Sequence, residues 1–364
     1  ILMVGALMMP MTLWMILPTY TFVYWSVVVG TFVVLPLLDL CFPRDKDNLS
    51  EKQVRERKEH RIYQWLPMVY PIIQTGVMYW ALDHYVRYVQ HLTWGAKLGF
   101  FGSIGIVTSA LGTNIAHELF HKKAVHEQVS GIYLLFMLCY SHFYIEHIWG
   151  HHKHVGTPDD AASAERYETI YYFIPKSFIG GIQSAYGIEE KRRKKKRLAW
   201  HHNRVLQYQA IQGLVLWILY QWFGMPGLVA FLGQSAVSIA LVECTNYIEH
   251  YGLSRKCLST SSSSPVYEPV TVLHSWNATE VLTNYLLLKL QRHSDHHAYP
   301  FKRYQTLSSY NLSPQLPTGY PGMVLLAFCP PLFFYIVHPL LDQQLERTAK
   351  VHSVSINNRT NTLT

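Results

Sequence analysis

Two adjacent apolar stretches, VLQYQAIQGLVLWILYQWF (205–223) and MPGLVAFLGQSAVSIALVECTNYI (225–248), decide the class of fold. Their only charged residue is Glu243. A helix needs roughly 20 apolar residues to cross a bilayer, so each stretch is long enough. The sequence FGMPG at 223–227 is rich in turn residues and predicts that the two helices fold back on each other there.

Further apolar stretches flank this pair on its N-terminal side. We predict an all-α integral membrane protein with six transmembrane helices, at about residues 1–17, 20–40, 63–84, 98–118, 205–223 and 225–248. Only 15% of residues are charged, against roughly a quarter in soluble domains. Residues 1–350 are expected to form a single domain, and the polar tail 351–364, from about Arg347 onward, to be disordered.

Two more apolar stretches, 129–146 and 322–341, are predicted to be buried or interfacial helices. His142 interrupts the first, and Pro330 with Pro331 interrupts the second. A span at either place would put the later histidines on the opposite side of the membrane.

The positive charges lie beside the apolar spans. Residues 43–62 contain seven Lys and Arg, whereas residues 85–97 contain two, so the first loop is predicted to be cytoplasmic. The run KRRKKKR at 191–197 supplies much of the net charge of +8 and is typical of contact with anionic lipid headgroups. No motif that reads nucleic acid accompanies it, so a nucleic-acid partner is not expected. The five cysteines form no CxxC pair that could bind zinc or an iron-sulfur centre.

Nine of the 20 histidines fall into four groups. The groups are HELFH (117–121), EHIWGHH (146–152), NYIEHYG (246–252) and QRHSDHH (291–297), and the nine predicted metal ligands are His117, His121, His147, His151, His152, His250, His293, His296 and His297. Residues four apart share one helix face. We therefore expect the rings of His117 and His121 to point at one metal position, and those of His147 and His151 to do the same. The rings of His293, His296 and His297 can likewise point at one position. His142, His154, His201, His202 and His274 are not expected to be ligands.

Nine imidazoles exceed what one metal, or two four-coordinate zinc sites, can use. Two metals with four or five nitrogens each are therefore predicted, near the cytoplasmic ends of the spans. Imidazole alone does not choose the metal. Hydrocarbon offers nothing for a hydrolytic zinc to polarise, so oxygen chemistry on two iron ions is favoured beside an apolar bundle.

Acidic residues accompany the histidines. Glu118, Glu146, Glu249, Asp295 and Asp160 are candidates to accept the second ring N–H of a ligand. We single out Glu249, Asp160 and Glu146. For Glu118 the alternative is an ion pair with Lys122, four residues on.

Two other functions are weighed against this interpretation. HELFH matches the HExxH motif of zinc proteases, but three further histidine groups would then have no purpose. A metal transporter would carry its ligands in mid-span, whereas these lie at span ends and in loops.

The motifs HELFHK (117–122), IEHIWGHH (145–152), NYIEHYGL (246–253) and LQRHSDHHAYP (290–300) together resemble those of the membrane alkane 1-monooxygenases. The similarity extends through LPLLD (35–39), TPDDAASA (157–164), HSWN (274–277) and LPTGYPG (316–322). Scattered histidine boxes alone would also fit acyl desaturases or hydroxylases and xylene-type methyl hydroxylases.

The resemblance implies hydroxylation of the terminal methyl of medium- or long-chain n-alkanes by molecular oxygen, at a cytoplasmic di-iron site. It implies the same nine histidine ligands and a host membrane that is the bacterial inner membrane. Electrons are expected from rubredoxin, supplied by its reductase. Because no CxxC occurs, this donor must be a separate protein, and the basic run 191–197 could attract it.

Three positions depart from the family pattern, at Phe120, Ile148 and Leu273, and these departures put the substrate identity in doubt. Counting back from LPLLD, Thr31 stands where relatives can carry a bulky aromatic that shortens the substrate cavity. We therefore predict Thr31 to be a substrate-binding residue and the cavity to tolerate longer chains. The alternative is that Thr31 only packs against a neighbouring helix.

Overall fold

The computed structural model describes residues 5, 11–259 and 265–360. It is mainly helical. In chain order, the longer helices are Glu51–Glu59, Ile62–Tyr88, Val125–Phe136, Ile170–Lys195, Arg204–His250, Tyr320–Ala327 and Pro330–Thr360. Two further helices, Thr21–Asp39 and Trp94–Phe120, are each built from several consecutive segments.

Short elements connect these helices and carry much of the site. They are the helices Thr12–Ile16, Phe143–Glu146, His152–His154, Val281–Leu286 and His293–Ala298, the 3₁₀ turns Trp200–His202 and Tyr304–Thr306, and a hairpin of Cys257–Ser259 with Val266–Tyr267. Three π-helical segments, Gly30–Val34, Thr108–Thr113 and His147–His151, lie within longer helical runs.

Three helices of the described residues are long and apolar enough to cross a membrane, namely Thr21–Asp39, Trp94–Phe120 and Arg204–His250. They indicate an integral membrane protein. The last corresponds to both halves of the predicted pair. At Gly224 the backbone leaves the helical conformation, with φ 62° and ψ −167°, and this kink lies where the turn was predicted. Ile62–Tyr88 is helical over the predicted span 63–84, but polar and proline residues interrupt its apolar run. Most of the predicted span 1–17 lies outside the described residues.

The helix that begins at Pro330 runs to Thr360. The predicted single domain, 1–350, and the predicted disordered polar tail stay predictions. The remaining four residues lie outside the described part. The two apolar stretches that were expected to be buried or interfacial helices are helical, as Val125–Phe136 with Phe143–Glu146 and as Tyr320–Ala327 with Pro330–Thr360.

Buried apolar side chains of the described residues form two clusters that meet around the histidines. The larger packs Trp94–Phe120 against Ile62–Tyr88 and Val125–Phe136. The smaller packs the end of Arg204–His250 against Tyr320–Ala327 and Pro330–Thr360. The last turn of Trp94–Phe120 carries His117 and the last turn of Arg204–His250 carries His250, and both are predicted ligands.

Candidate metal centre

The structure brings all nine candidate histidines together in two adjacent groups. His117, His121, His147, His152 and His296 form the first, and His151, His250, His293 and His297 form the second. Within each group the potential ligand atoms all lie within 4.8 Å of one another. Five and four nitrogens match the predicted count for two metals.

Two of the groupings predicted from the sequence are wrong, His147 with His151 and His296 with His293 and His297. His147 and His151 were expected to aim at one point, but His147 belongs to the first group and His151 to the second. The cause is the π-helical segment His147–His151, in which the backbone hydrogen bond spans five residues rather than four. Residues five apart then share a face, so His147 joins His152. Their Nε2 atoms are 3.0 Å apart.

The last histidine motif supplies both groups. On the short helix His293–Ala298, His293 and His297 are four residues apart and both face the second group, with 2.9 Å between their Nε2 atoms. His296 points to the first group, where its Nε2 lies 3.1 Å from that of His152. One turn of helix therefore contributes to both candidate metal positions.

The spacing between ring nitrogens tests whether metals fit. Contacts between Nε2 atoms are 2.9 Å for His117–His147 and 3.2 Å for His250–His293. Metal–nitrogen bonds of about 2.1 Å give a nitrogen separation of about 3.0 Å at right angles and about 3.4 Å at the tetrahedral angle. The shortest spacings between ring nitrogens therefore lie in the range that two nitrogens bound to one metal ion adopt.

Hydrogen bonding alone does not account for this packing. A neutral imidazole carries a single N–H, yet His147 Nε2 has two Nε2 neighbours at 2.9 and 3.0 Å. Among the described residues, the buried Nε2 atoms of His121 and His151 have no hydrogen-bond partner. A metal ion at each group would be coordinated by these converging lone pairs.

The electrostatics keep most of these rings neutral. Burial, followed by neighbouring imidazoles and cations, lowers the pKa of His121, His147, His152, His293, His296 and His297 well below the usual value. His151 is different. Burial opposes its charge, but the carboxylate of Asp160, the largest of the opposing influences, raises its pKa to about 9. A metal would have to displace that proton.

The three carboxylates singled out from the sequence occupy different places. Asp160 lies behind His151, with its Oδ2 3.0 Å from Nδ1, in the position that orients a ligand. Glu249 instead lies on the ligand side: its Oε2 is 3.2 Å from His293 Nε2, and its Oε1 accepts a hydrogen bond from Tyr320. Glu146 is buried, and burial followed by Asp160 raises its pKa to about 8.

The other two acidic candidates have partners outside the histidines. Glu118 pairs with Lys122 at 3.0 Å, which is the alternative considered for it. Asp295 accepts hydrogen bonds from Ser308 N, Lys302 Nζ and Tyr310 Oη.

A cavity leads away from the two histidine groups into the apolar helices. His117, His147 and His293 close one end. Its walls are mainly apolar, and they include Thr31, Phe32, Leu35, Ile106, Ala110, Leu241 and Val324. Thr31 thus lies on the cavity wall, on a π-helical segment whose neighbours Phe32 and Leu35 face the same space.

Comparison with known proteins identifies the family. Residues 92–327 match the fatty acid desaturase family model. The chain is 39% identical to alkane 1-monooxygenase 1 of Pseudomonas aeruginosa, over 92% of this chain and 87% of the relative. It is 40% identical to alkane 1-monooxygenase 2 of the same organism, over 86% and 83%. The chain belongs to the alkane 1-monooxygenase family.

A more distant match bears on the alternatives. The hydroxylase component XylM of the xylene/toluene monooxygenase of Pseudomonas putida is 27% identical over 235 residues, which is 61% of this chain and 58% of XylM. The similarity to the alkane 1-monooxygenases is higher and covers more of both chains. The protease and transporter interpretations have no support from these matches.

Several residues at the histidine end of the cavity were not predicted from the sequence. Tyr320, Asn114, Phe143 and Asn246 all line the cavity near the histidines. Tyr320 lies in LPTGYPG, a segment noted in the sequence only for its similarity to the alkane 1-monooxygenases. Its hydrogen bond to Glu249, at 2.7 Å, joins residues 71 positions apart, which no local pattern could reveal.

Proposed function

We propose that this protein hydroxylates the terminal methyl group of medium- and long-chain n-alkanes. The balanced reaction joins one alkane, one O₂, two electrons and two protons to give one primary alcohol and one water. The supporting observation is the convergence of nine imidazoles at one end of a long apolar cavity. An alkane has no polar group to recognise, so a narrow apolar cavity is the means by which one carbon can be selected.

Two iron ions are the proposed cofactor. His117, His121, His147, His152 and His296 would hold one, and His151, His250, His293 and His297 the other. When bound, they would supply the activation of O₂ that breaks an unactivated C–H bond. Hydrocarbon offers no group for a hydrolytic zinc to polarise, so a redox-active ion is required, and this favours iron.

The chain's own residues position the substrate. Ile106, Ala110 and Leu241 line the cavity, so an extended hydrocarbon would lie along it with one end at His117, His147 and His293. Asp160 would hold the His151 ring so that Nε2 faces inward. Glu249 and Tyr320 are two side chains at this end that can accept or donate a proton, and the hydrogen bond between them fixes both.

The orientation follows from the charges. The basic segment 43–62 lies on the same side as the histidines, because Arg292, next to His293, bonds to Asp45 at 2.9 Å. We place this side in the cytoplasm and the spans in a bacterial inner membrane. Rubredoxin, reduced by its reductase, is the proposed separate electron donor.

Product analysis tests the proposal. The purified protein, with iron and zinc quantified, is supplied with O₂, reduced rubredoxin and octane, hexadecane, a fatty acid or xylene in turn. Gas chromatography should show 1-alkanols from the alkanes, at rates that follow iron content. The variant His121→Ala/His297→Ala, which removes one ligand from each group, should make none. Desaturated or hydroxylated fatty acid, or methylbenzyl alcohol, as the main product would reject the alkane assignment.

A further inference from the structure

An open cleft lies beside the C-terminal end of the ligand helix His293–Ala298, where Tyr299 follows the helix. Its lining is a mixture of aromatic and basic side chains, namely Lys58, Tyr299, Phe301, Lys302, Arg303 and Tyr310. Tyr299 and Phe301 are 58% and 66% exposed. Exposed aromatic groups beside cationic ones are enriched where proteins bind other proteins.

The cleft is tied directly to both metal groups. Lys302 Nζ and Tyr310 Oη contact the buried carboxylate of Asp295, at 2.6 and 3.1 Å. Asp295 lies between His293 and His296 in the sequence, on the helix that supplies ligands to both groups. The backbone amide of Tyr299 also closes this helix by donating to the Asp295 carbonyl. A path for electrons from the cleft to either histidine group therefore crosses only the short helix His293–Ala298.

The charge of the cleft selects an acidic partner. Within the described part of the chain, its lining contains three basic side chains and no acidic one. Lys123 adds a fourth positive charge at the edge, where its Nζ lies 5.9 Å from the Phe301 ring centroid. Lys302 is paired with Asp295 and Arg303 with Glu127, so the exposed Lys58 and Lys123 supply the positive charge that a partner would meet.

We propose that this cleft is the docking site of the electron donor, a small acidic protein that carries one electron at a time. The inference rests on the proposed function, since the hydroxylation consumes two electrons per alkane. Two successive dockings would supply them, each oxidising one carrier by one electron and reducing the metal pair by one. A compact site with aromatic contacts and a charged edge suits such a brief encounter.

The other basic surface, 191–197, fits this role less well. It lies at the end of helix Ile170–Lys195. That helix approaches the ligands at Ser184, which faces Gly150, and Lys191 is seven residues, or about 10 Å, farther along. The neighbouring Trp200 is 70% exposed, and basic residues beside an exposed tryptophan are typical of the lipid headgroup region.

Paired charge reversals separate the two surfaces. Lys58→Glu/Lys123→Glu changes the cleft, and Lys191→Glu/Lys196→Glu is the matched control, because all four lysines are exposed and each pair changes the net charge equally. With purified rubredoxin as donor at low salt, the cleft variant should raise the KM for rubredoxin about tenfold. The control should leave it unchanged. Phe301→Ala, which alters no charge, should also raise it.

A chemical reductant provides the second measurement. Dithionite-reduced methyl viologen needs no docking site, so alkane hydroxylation driven by it should be equal in the parent, the cleft variants and the control. An unchanged rubredoxin KM in both cleft variants would overturn the docking site, as would a raised KM in the control alone. Equal losses with both donors would mean that the cleft variants damage the metal centre and would likewise overturn it. Absence of hydroxylation by the parent with either donor would instead reject the proposed function.

Discussion

Replacing Thr31 with tryptophan should shorten the set of alkanes that the protein accepts. Thr31 is only 6% exposed and lines the cavity, and within the described chain its Oγ1 has no hydrogen-bond partner. The hydroxyl is therefore not needed locally, and an indole at this position would fill space that a long substrate uses. Each methylene kept out of an apolar site loses about 0.8 kcal/mol, which is about fourfold in affinity. Exclusion of about three methylenes would cost about 2.4 kcal/mol, or about 60-fold in kcat/KM.

Competition between two substrates measures this effect within one sample. An equimolar mixture of octane and hexadecane is oxidised, and the ratio of 1-octanol to 1-hexadecanol is read by gas chromatography. Thr31→Trp should shift that ratio toward octanol by about 60-fold, the estimate for about three lost methylenes. Thr31→Val, which keeps the size and removes the unpartnered hydroxyl, should leave it unchanged. An unaltered ratio in an iron-loaded Thr31→Trp protein would refute the cavity assignment, because Thr31 would then only pack against its neighbours.

Three further predictions concern the metal centre. Asp160→Asn should weaken iron binding about 10- to 100-fold, measured by iron loss to a chelator, because the carboxylate orients His151; equal loss rates in variant and parent would contradict that role. His121→Ala should lower the iron content from two ions per chain to one by elemental analysis, whereas His142→Ala, at a buried histidine outside both groups, should retain two; loss of iron from the second variant would count against the ligand set. The unfolding temperature should fall as the pH drops from about 7 to about 5. Six ligand rings have lowered pKa values in the folded protein, so below the ordinary histidine pKa near 6.5 the unfolded chain binds more protons, and each ring contributes up to about 1.4 kcal/mol per pH unit. A flat profile over that range would show that these rings are not buried and neutral.

Much of the architecture could be predicted because it depends on length and composition. The apolar runs around 98–118 and 205–248 are too long and too uncharged for anything but buried or membrane helices, and both are helical in the structure. The bend at Gly224 follows from a residue that adopts positive φ without strain. The assembly of nine histidines was predictable from their clustering along the sequence, because nine clustered imidazoles have few roles other than metal binding.

The assignment of histidines to the two groups could not be predicted. It depends on one π-helical turn at His147–His151, and this turn has no sequence signature distinct from an α-helix. Gly150 lies where this turn packs against helix Ile170–Lys195. A Cβ there would lie 2.8 Å from Glu146 Oε1 and 2.9 Å from Ser184 Oγ, so both side chains would have to shift. That constraint is tertiary and only visible once both helices are in place.

The carboxylates illustrate the same limit. Glu118, Glu146, Glu249, Asp160 and Asp295 are all near histidines in the sequence, but only Asp160 contacts the outer nitrogen of a ligand ring through its side chain. Adjacent residues on a helix point in different directions, so proximity along the chain says little about which ring a carboxylate reaches.

The position of the helix His293–Ala298 sets the order in which the metal centre can be completed during synthesis. Both groups draw a ligand from this six-residue helix, so neither set is whole until residue 297 has left the ribosome. The preceding residue, Arg292, is then held by Asp45 and by the carbonyls of Asp47 and Leu307. The loop that contains Asp45 and Asp47 is therefore synthesised some 240 residues before Arg292, which binds to it. Complete loading of both proposed metal positions is therefore expected only after the last histidine motif has been synthesised.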